Sequence, residues 1–147
     1  MSGVKTSGTT DVTTTLNADQ VTAATANDVM TVTFPAPATT QQLSQKDVTV
    51  GSGTAAELNK SVTVNYCMLS AKDGKVLEES YSQYNGAGVN LTLAEGLIEG
   101  WVQGMPGMKV GGRRILVIPA DLAYGNDGSG GRPSGTLVFV LDLLKVS

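Results

Sequence analysis

GMKVGGRRILVIPADLAYG, residues 107–125, sets one apolar run between a glycine turn and a Tyr-Gly corner. Gly111 and Gly112 turn the chain, RRILVIP reads as a strand whose apolar part is buried on both faces, and Pro119 fixes the corner after it. Just upstream, LIEGWVQGM at 97–105 repeats Leu97, Trp101 and Met105 at i, i+4 and i+8, with Ile98 and Val102 widening the stripe. That spacing predicts a short helix, closed by Pro106 and Gly107. Downstream, TLVFVLDLLKV at 136–146 is almost continuously apolar and predicts a central strand. Working further outward, SVTVNYCML at 61–69 puts Val62, Val64, Tyr66 and Met68 on one face, the pattern of a half-buried antiparallel strand. KDGK at 72–75 carries the Asp-Gly pair of a hairpin turn, SQYNGAG at 82–88 reads as a loop, and VNLTL at 89–93 resumes alternation. DVTVGSG at 47–53 adds a strand and a glycine turn. The sum is an α+β domain, five or six antiparallel strands wrapped on one short helix.

Residues 1–28 are rich in Thr, Ser and Ala and contain no aromatic residue. They offer little surface to set against the entropy of ordering, so a flexible leader is expected. VMTVTFPAP at 29–37 alternates and is closed by two prolines, which suits a short edge strand. The expected organisation is therefore a leader over 1–28 and a domain over 29–147.

Composition narrows the chemistry. A chain of 147 residues, 41% of them apolar, has material for one core. Its net charge of −3 and lack of any Lys/Arg cluster argue against a nucleic-acid partner. No apolar run approaches the roughly 20 residues of a membrane-spanning helix, and MSGVKTSGTT lacks the apolar stretch of a signal peptide. Cys67 is the single cysteine and reads as a small strand residue; it has no partner for a disulfide within the chain or for a thiolate metal site. The absence of histidine removes the commonest general base and metal ligand, so neither metal nor cofactor is expected. Arg113 and Arg114 open a strand, one of them read as a solvated strand end, and neither receives a chemical role.

Taken in order, VNY at 64–66, DGK at 73–75, IEGWVQGMPGMKVGGRR at 98–114, ILVIPADLAYG at 115–125 and TLVFVLDLL at 136–144 resemble the FKBP-type peptidyl-prolyl isomerases. The resemblance spans about residues 46–147. It implies a half-barrel of antiparallel strands clasping the helix, with an apolar hollow between them. Trp101 would floor that hollow beneath a substrate proline, although its periodicity alone suits plain core. Leu97 and Ile98 would edge it, the Ile98 N–H holding a substrate carbonyl. Tyr66 and Phe139 would form walls, which as bare strand aromatics would read as packing, and Val89 would stand at a place usually aromatic. The Tyr124 hydroxyl would hold the substrate carbonyl, and the loop 126–131 would form a flap. The implied partners are proline-containing polypeptides and macrolides such as rapamycin, the implied state is a monomer, and a Thr/Ser-rich stalk before Val32 to Pro37 resembles secreted or lipid-anchored bacterial members.

Two stretches depart from the family pattern. LEES at 77–80 replaces the usual F-D-S-S, so Leu77 would give a less snug wall, and Glu78 either bonds Tyr66 or Tyr124 in altered geometry or faces solvent. GRPSGTL at 131–137 puts Gly131 and Arg132 where apolar cover is usual. Lost cover of about 1–3 kcal/mol would slow turnover roughly ten- to a hundredfold. The alternatives are thus a binding or chaperone module of the same fold with weak or no isomerase activity, and a stalked surface domain with no working pocket. None of these functions needs an acid, base or nucleophile, because turning an X-Pro bond makes and breaks no covalent bond.

Overall fold

The computed structural model describes residues 3–26, 29–82, 86–94, 96–125 and 133–147. Among them, the larger of two sheets has six strands: β4 (Ser44–Thr49), β5 (Ser61–Ser70), β6 (Val76–Glu79), β7 (Val89–Thr92), β8 (Arg113–Ile118) and β9 (Leu137–Val146). Its order is β4-β8-β9-β5-β6, with β7 also paired to β5, and every pairing is antiparallel. The apolar runs of β8 and β9 lie at the centre, as continuous burial on both faces requires. The one α-helix among the described residues, α1 (Glu99–Gly104), is shorter than the predicted 97–105 and lies across the concave face.

Strand alternation sorts the side chains into two cores. Leu116, Ile118, Leu137, Phe139, Leu141 and Met68 face the helix and pack with Trp101, Met105 and Met108. Ile115, Val117, Val138, Val140, Cys67 and Leu69 face the opposite way. That convex face is buried too, covered by residues 16–23 of the segment expected to be a flexible leader and by the run after it, expected to be an edge strand.

The leader reading is corrected here. Residues 3–39 form a second sheet, β1 (Gly3–Thr15), β2 (Thr22–Ala26) and β3 (Val29–Thr39), in the order β1-β3-β2. Leu16, Ala18, Val21 and Ala23, with Met30, Val32, Phe34, Ala36 and Ala38 of β3, are buried against the convex face. The composition argument fails because these residues do not form a core of their own. Small side chains suffice when the other half of the core is the Val/Ile-rich back of a sheet already ordered. The edge-strand reading of 29–37 changes as well, since β3 is the middle strand. Its prolines are accommodated because β2 pairs only with Val29 to Thr33, and Pro35 and Pro37 lie beyond that stretch. Because the N-terminal sheet covers the convex face, β5 is half-buried only in its first residues; from Cys67 to Ser70 both its faces are buried.

Candidate functional site: an apolar hollow over Trp101

The helix reaches the sheet because two of its residues have no side chain. A β-carbon at Gly100 would stand 2.5 Å from Ile118 carbons, and one at Gly104 would stand 2.7 Å from Leu116. The helix therefore seats Trp101 low, facing Tyr66 and Phe139. Arg114 holds the other end of α1. It is buried, donates to the carbonyls of Gly104 at 2.8 Å and Pro106 at 3.3 Å, and pairs with Asp47 at 2.7 Å. Arg113 is likewise mostly buried, in a two-bond pair with Asp142. The reading of one of the two as a solvated strand end is thus corrected: both guanidiniums are satisfied inside the structure, since a cation at a central strand must be paired to be buried.

Above Trp101 lies a hollow of about 240 Å³. Tyr66, Glu78, Val89, Leu97, Ile98, Trp101, Tyr124 and Phe139, all named from the sequence, line it together. The three aromatic rings form an angular cradle. Tyr66 meets Trp101 edge-on at 5.4 Å and 78°, Trp101 meets Phe139 edge-on at 5.5 Å and 83°, and Tyr66 and Phe139 are tilted at 6.5 Å. Such edge-to-face contacts fix ring planes as well as burying area. The indole nitrogen of Trp101 is buried with no hydrogen-bond partner among the described residues. A buried unmatched donor costs about 1–3 kcal/mol, so core packing alone is a poor account of an indole here.

Glu78 faces the hollow, and of the alternatives left open above, its carboxylate accepts from the Tyr66 hydroxyl. Tyr124 stands at the rim, partly exposed, on the corner after the short 3₁₀ turn Ala120–Leu122. Burial first, and the Glu78 charge second, push the Tyr124 hydroxyl above its ordinary pKa of 10.0. A phenol is protonated at neutral pH in any case, and the upward shift extends its range as a donor to more alkaline pH. Among the described residues lining the hollow, Glu78 is the only formal charge, and no group of three or more His, Cys, Asp or Glu side chains is placed to hold a metal ion.

Leu77 is the exception among the named wall residues. It is 43% exposed and lines a neighbouring depression with Lys72, Asp73 and Pro133 rather than the hollow itself. The cause is a bulge: Met68 pairs with Glu78 and Leu69 with Val76, so Leu77 has no opposite residue and is turned out. The predicted flap 126–131, and Arg132 after it, lie outside the described residues. Sequence reasoning missed Met68, Leu91 and Gly96, which also line the hollow. Period-two spacing carried a signal for the first two, since Met68 follows Tyr66 on one face of β5 and Leu91 follows Val89 on β7. Nothing in the local pattern singled out Gly96.

Comparison with known proteins agrees with this architecture. The family model of the FKBP-type peptidyl-prolyl cis-trans isomerases matches residues 52–144. An FK506-binding protein of Streptomyces anulatus is 41% identical over 119 residues, covering 78% of this chain and 94% of that protein. A probable FK506-binding protein of Corynebacterium glutamicum is 42% identical over 112 residues, covering 76% and 90%. Among solved structures, FkpA from Escherichia coli is similar with a TM-score of 0.63 and 40% identity, covering 71% of this chain and 48% of that one, so the chain spans about half of FkpA. AtFKBP13 superposes with a TM-score of 0.60 at 31% identity, covering 71% and 93%. With its helix, half-barrel and motif blocks matched in one frame, the chain belongs to the FKBP-type peptidyl-prolyl cis-trans isomerase family.

Proposed function

We propose that the hollow over Trp101 is where this isomerase turns X-Pro bonds of polypeptide substrates. Rotation about a peptide C–N bond faces a barrier of about 18–20 kcal/mol and, for X-Pro, takes tens to hundreds of seconds unaided. In the twisted state the nitrogen has left conjugation and the amide is less dipolar. A wall of aromatic and aliphatic carbon favours that state over the planar, better-hydrated one, and every 1.4 kcal/mol or so of difference is tenfold in rate. In this reading Trp101 floors the proline ring, Tyr66 and Phe139 flank it, Val89, Leu97 and Ile98 form the rim, and the Tyr124 hydroxyl and Ile98 N–H hold carbonyls. The single observation that carries the reading is the aromatic cradle of Tyr66, Trp101 and Phe139 open to a hollow with a phenol donor at its edge. A protease-free isomerisation assay on a proline tetrapeptide tests it. Acceleration at micromolar protein is expected, and an uncatalysed rate would contradict it.

The outward turn of Leu77 favours slower turnover than in members with an aromatic wall there, and leaves room for a holding role on slowly released segments. A macrolide such as rapamycin is a proposed ligand of the same hollow, to be read by Trp101 fluorescence. A monomer is proposed because the chain's own β1–β3 sheet already covers the convex face; sedimentation checks it. No helix among the described residues is long and apolar enough to cross a membrane. A secreted or lipid-anchored setting is proposed on sequence resemblance alone, and cell fractionation tests it.

A further inference from the structure

Tyr66 and Glu78 form the polar seam of the hollow, and a separate set of bonds behind them sets how their strands meet. β6 pairs with β5 through Met68 opposite Glu78 and Cys67 opposite Glu79, and there the strand ends. Ser80 continues the pairing by other means. The Tyr66 N–H donates to the Ser80 hydroxyl oxygen at 2.8 Å, while the Ser80 N–H donates to the Tyr66 carbonyl at 2.9 Å. The Ser80 hydroxyl in turn donates to Asn65 Oδ1 at 2.9 Å, and Asn65 Nδ2 donates to the Gly86 carbonyl at 3.0 Å. Ser80 is fully buried and Asn65 nearly so. The hydroxyl is thus used both as acceptor and as donor, away from competing water.

Two residues before Ser80, the Glu78 carboxylate accepts from the hydroxyl of the same Tyr66 whose backbone Ser80 holds. The result is a closed ring: Tyr66 main chain to Ser80, along the strand to Glu78, and back to the Tyr66 phenol. Glu78 is exposed and has three side-chain torsions, so water and rotamer entropy both compete with its bond to Tyr66. A fixed main chain beneath it reduces the freedom that must be lost to hold the carboxylate at the phenol.

We propose that Ser80 is a positioning residue for the isomerase site: it pins the end of β6 to Tyr66 so that Glu78 holds the Tyr66 ring edge-on to Trp101. The proposal rests on the reading of the hollow given above. Its test is a double-mutant cycle of Ser80→Ala and Glu78→Gln in the tetrapeptide isomerisation assay, with urea unfolding of each variant so that rates are compared per folded molecule. Ser80→Ala is expected to lower kcat roughly three- to tenfold, the worth of one buried hydrogen bond, with KM changed by less than about twofold. Glu78→Gln is expected to lower kcat similarly, and the double variant to fall no further than about twofold below the worse single one. A hydroxyl that served stability alone would lower the urea midpoint and leave kcat untouched. Wild-type kcat in folded Ser80→Ala, or losses that multiply in the double variant, would overturn the proposal. If Ser80→Ala does not fold, Ser80→Cys, close in size and a weaker acceptor, is judged by the same criteria. Loss of catalysis in the wild type itself would overturn the reading of the hollow, whereas wild-type catalysis with an indifferent Ser80 would overturn only its positioning role.

Discussion

Gly100 of α1 rests directly on Ile118 of β8, so close that a β-carbon at 100 would stand 2.5 Å from both Cδ1 and Cγ2 of Ile118. This contact sets the height of Trp101, the next residue, above the sheet. Gly100→Ala therefore overpacks a fully buried site, at a cost of about 1–3 kcal/mol, against roughly 1 kcal/mol returned by the better helix former. The expected outcome is a lower urea midpoint together with altered Trp101 fluorescence. Unchanged stability and fluorescence would mean that the helix has freedom to lift.

Phe34 of β3 is a large, fully buried side chain joining the N-terminal sheet to the convex face. Phe34→Ala should cost about 3–5 kcal/mol, as large-to-small changes in cores do. Equilibrium unfolding checks it. A loss below about 1 kcal/mol would show that the β1–β3 sheet is loosely attached.

Cys67 gives the fold an alkaline limit. Burial, and secondly the Glu79 charge, push its thiol from 9.0 up to about 12. Below pH 9 both folded and unfolded chains hold the proton, and its contribution is fully present. Between pH 9 and 12 the unfolded chain releases it while the fold retains it, so stability falls as pH rises, by at most about 4 kcal/mol from this group. Cys67→Ala should be less stable at pH 7 yet show a shallower decline between pH 9 and 10.5. Equal slopes in the two proteins would contradict the assignment.

The site was legible where motif and period agreed. Trp101 lies at helical spacing within I-x-G-W, Tyr66 and Phe139 fall on the inward face of their strands, and all three meet in the hollow. What was not legible depended on partners distant in sequence. Alanines at 18, 23, 36 and 38 look too small to order a chain until the convex Val and Ile residues of β8 and β9 are set against them. The alternation from Met30 to Ala38 was visible, but no local signal told whether its partner strands existed. Leu77 was misplaced for a similar reason, because a bulge is a property of two paired strands and cannot be read from LEES alone.

Tyr124 contributes a hydroxyl rather than apolar wall, so Tyr124→Phe should lower kcat/KM roughly three- to tenfold with the fold intact. Because its ionisation is shifted upward, the wild-type rate should begin to fall at a higher pH than a free phenol's titration would set. Pre-steady-state or exchange measurements of isomerisation across the alkaline range check both.

The account depends most on Trp101, and the decisive measurement is kcat/KM for a proline tetrapeptide in wild type and in Trp101→Leu, each normalised to folded protein. Leucine loses ring area but also removes the unmatched indole donor, so the variant is expected to fold. A wild-type rate well above the uncatalysed one, reduced at least about tenfold in Trp101→Leu, is the result predicted. Equal catalysis by the two proteins would contradict the claim that the bond turns over this indole.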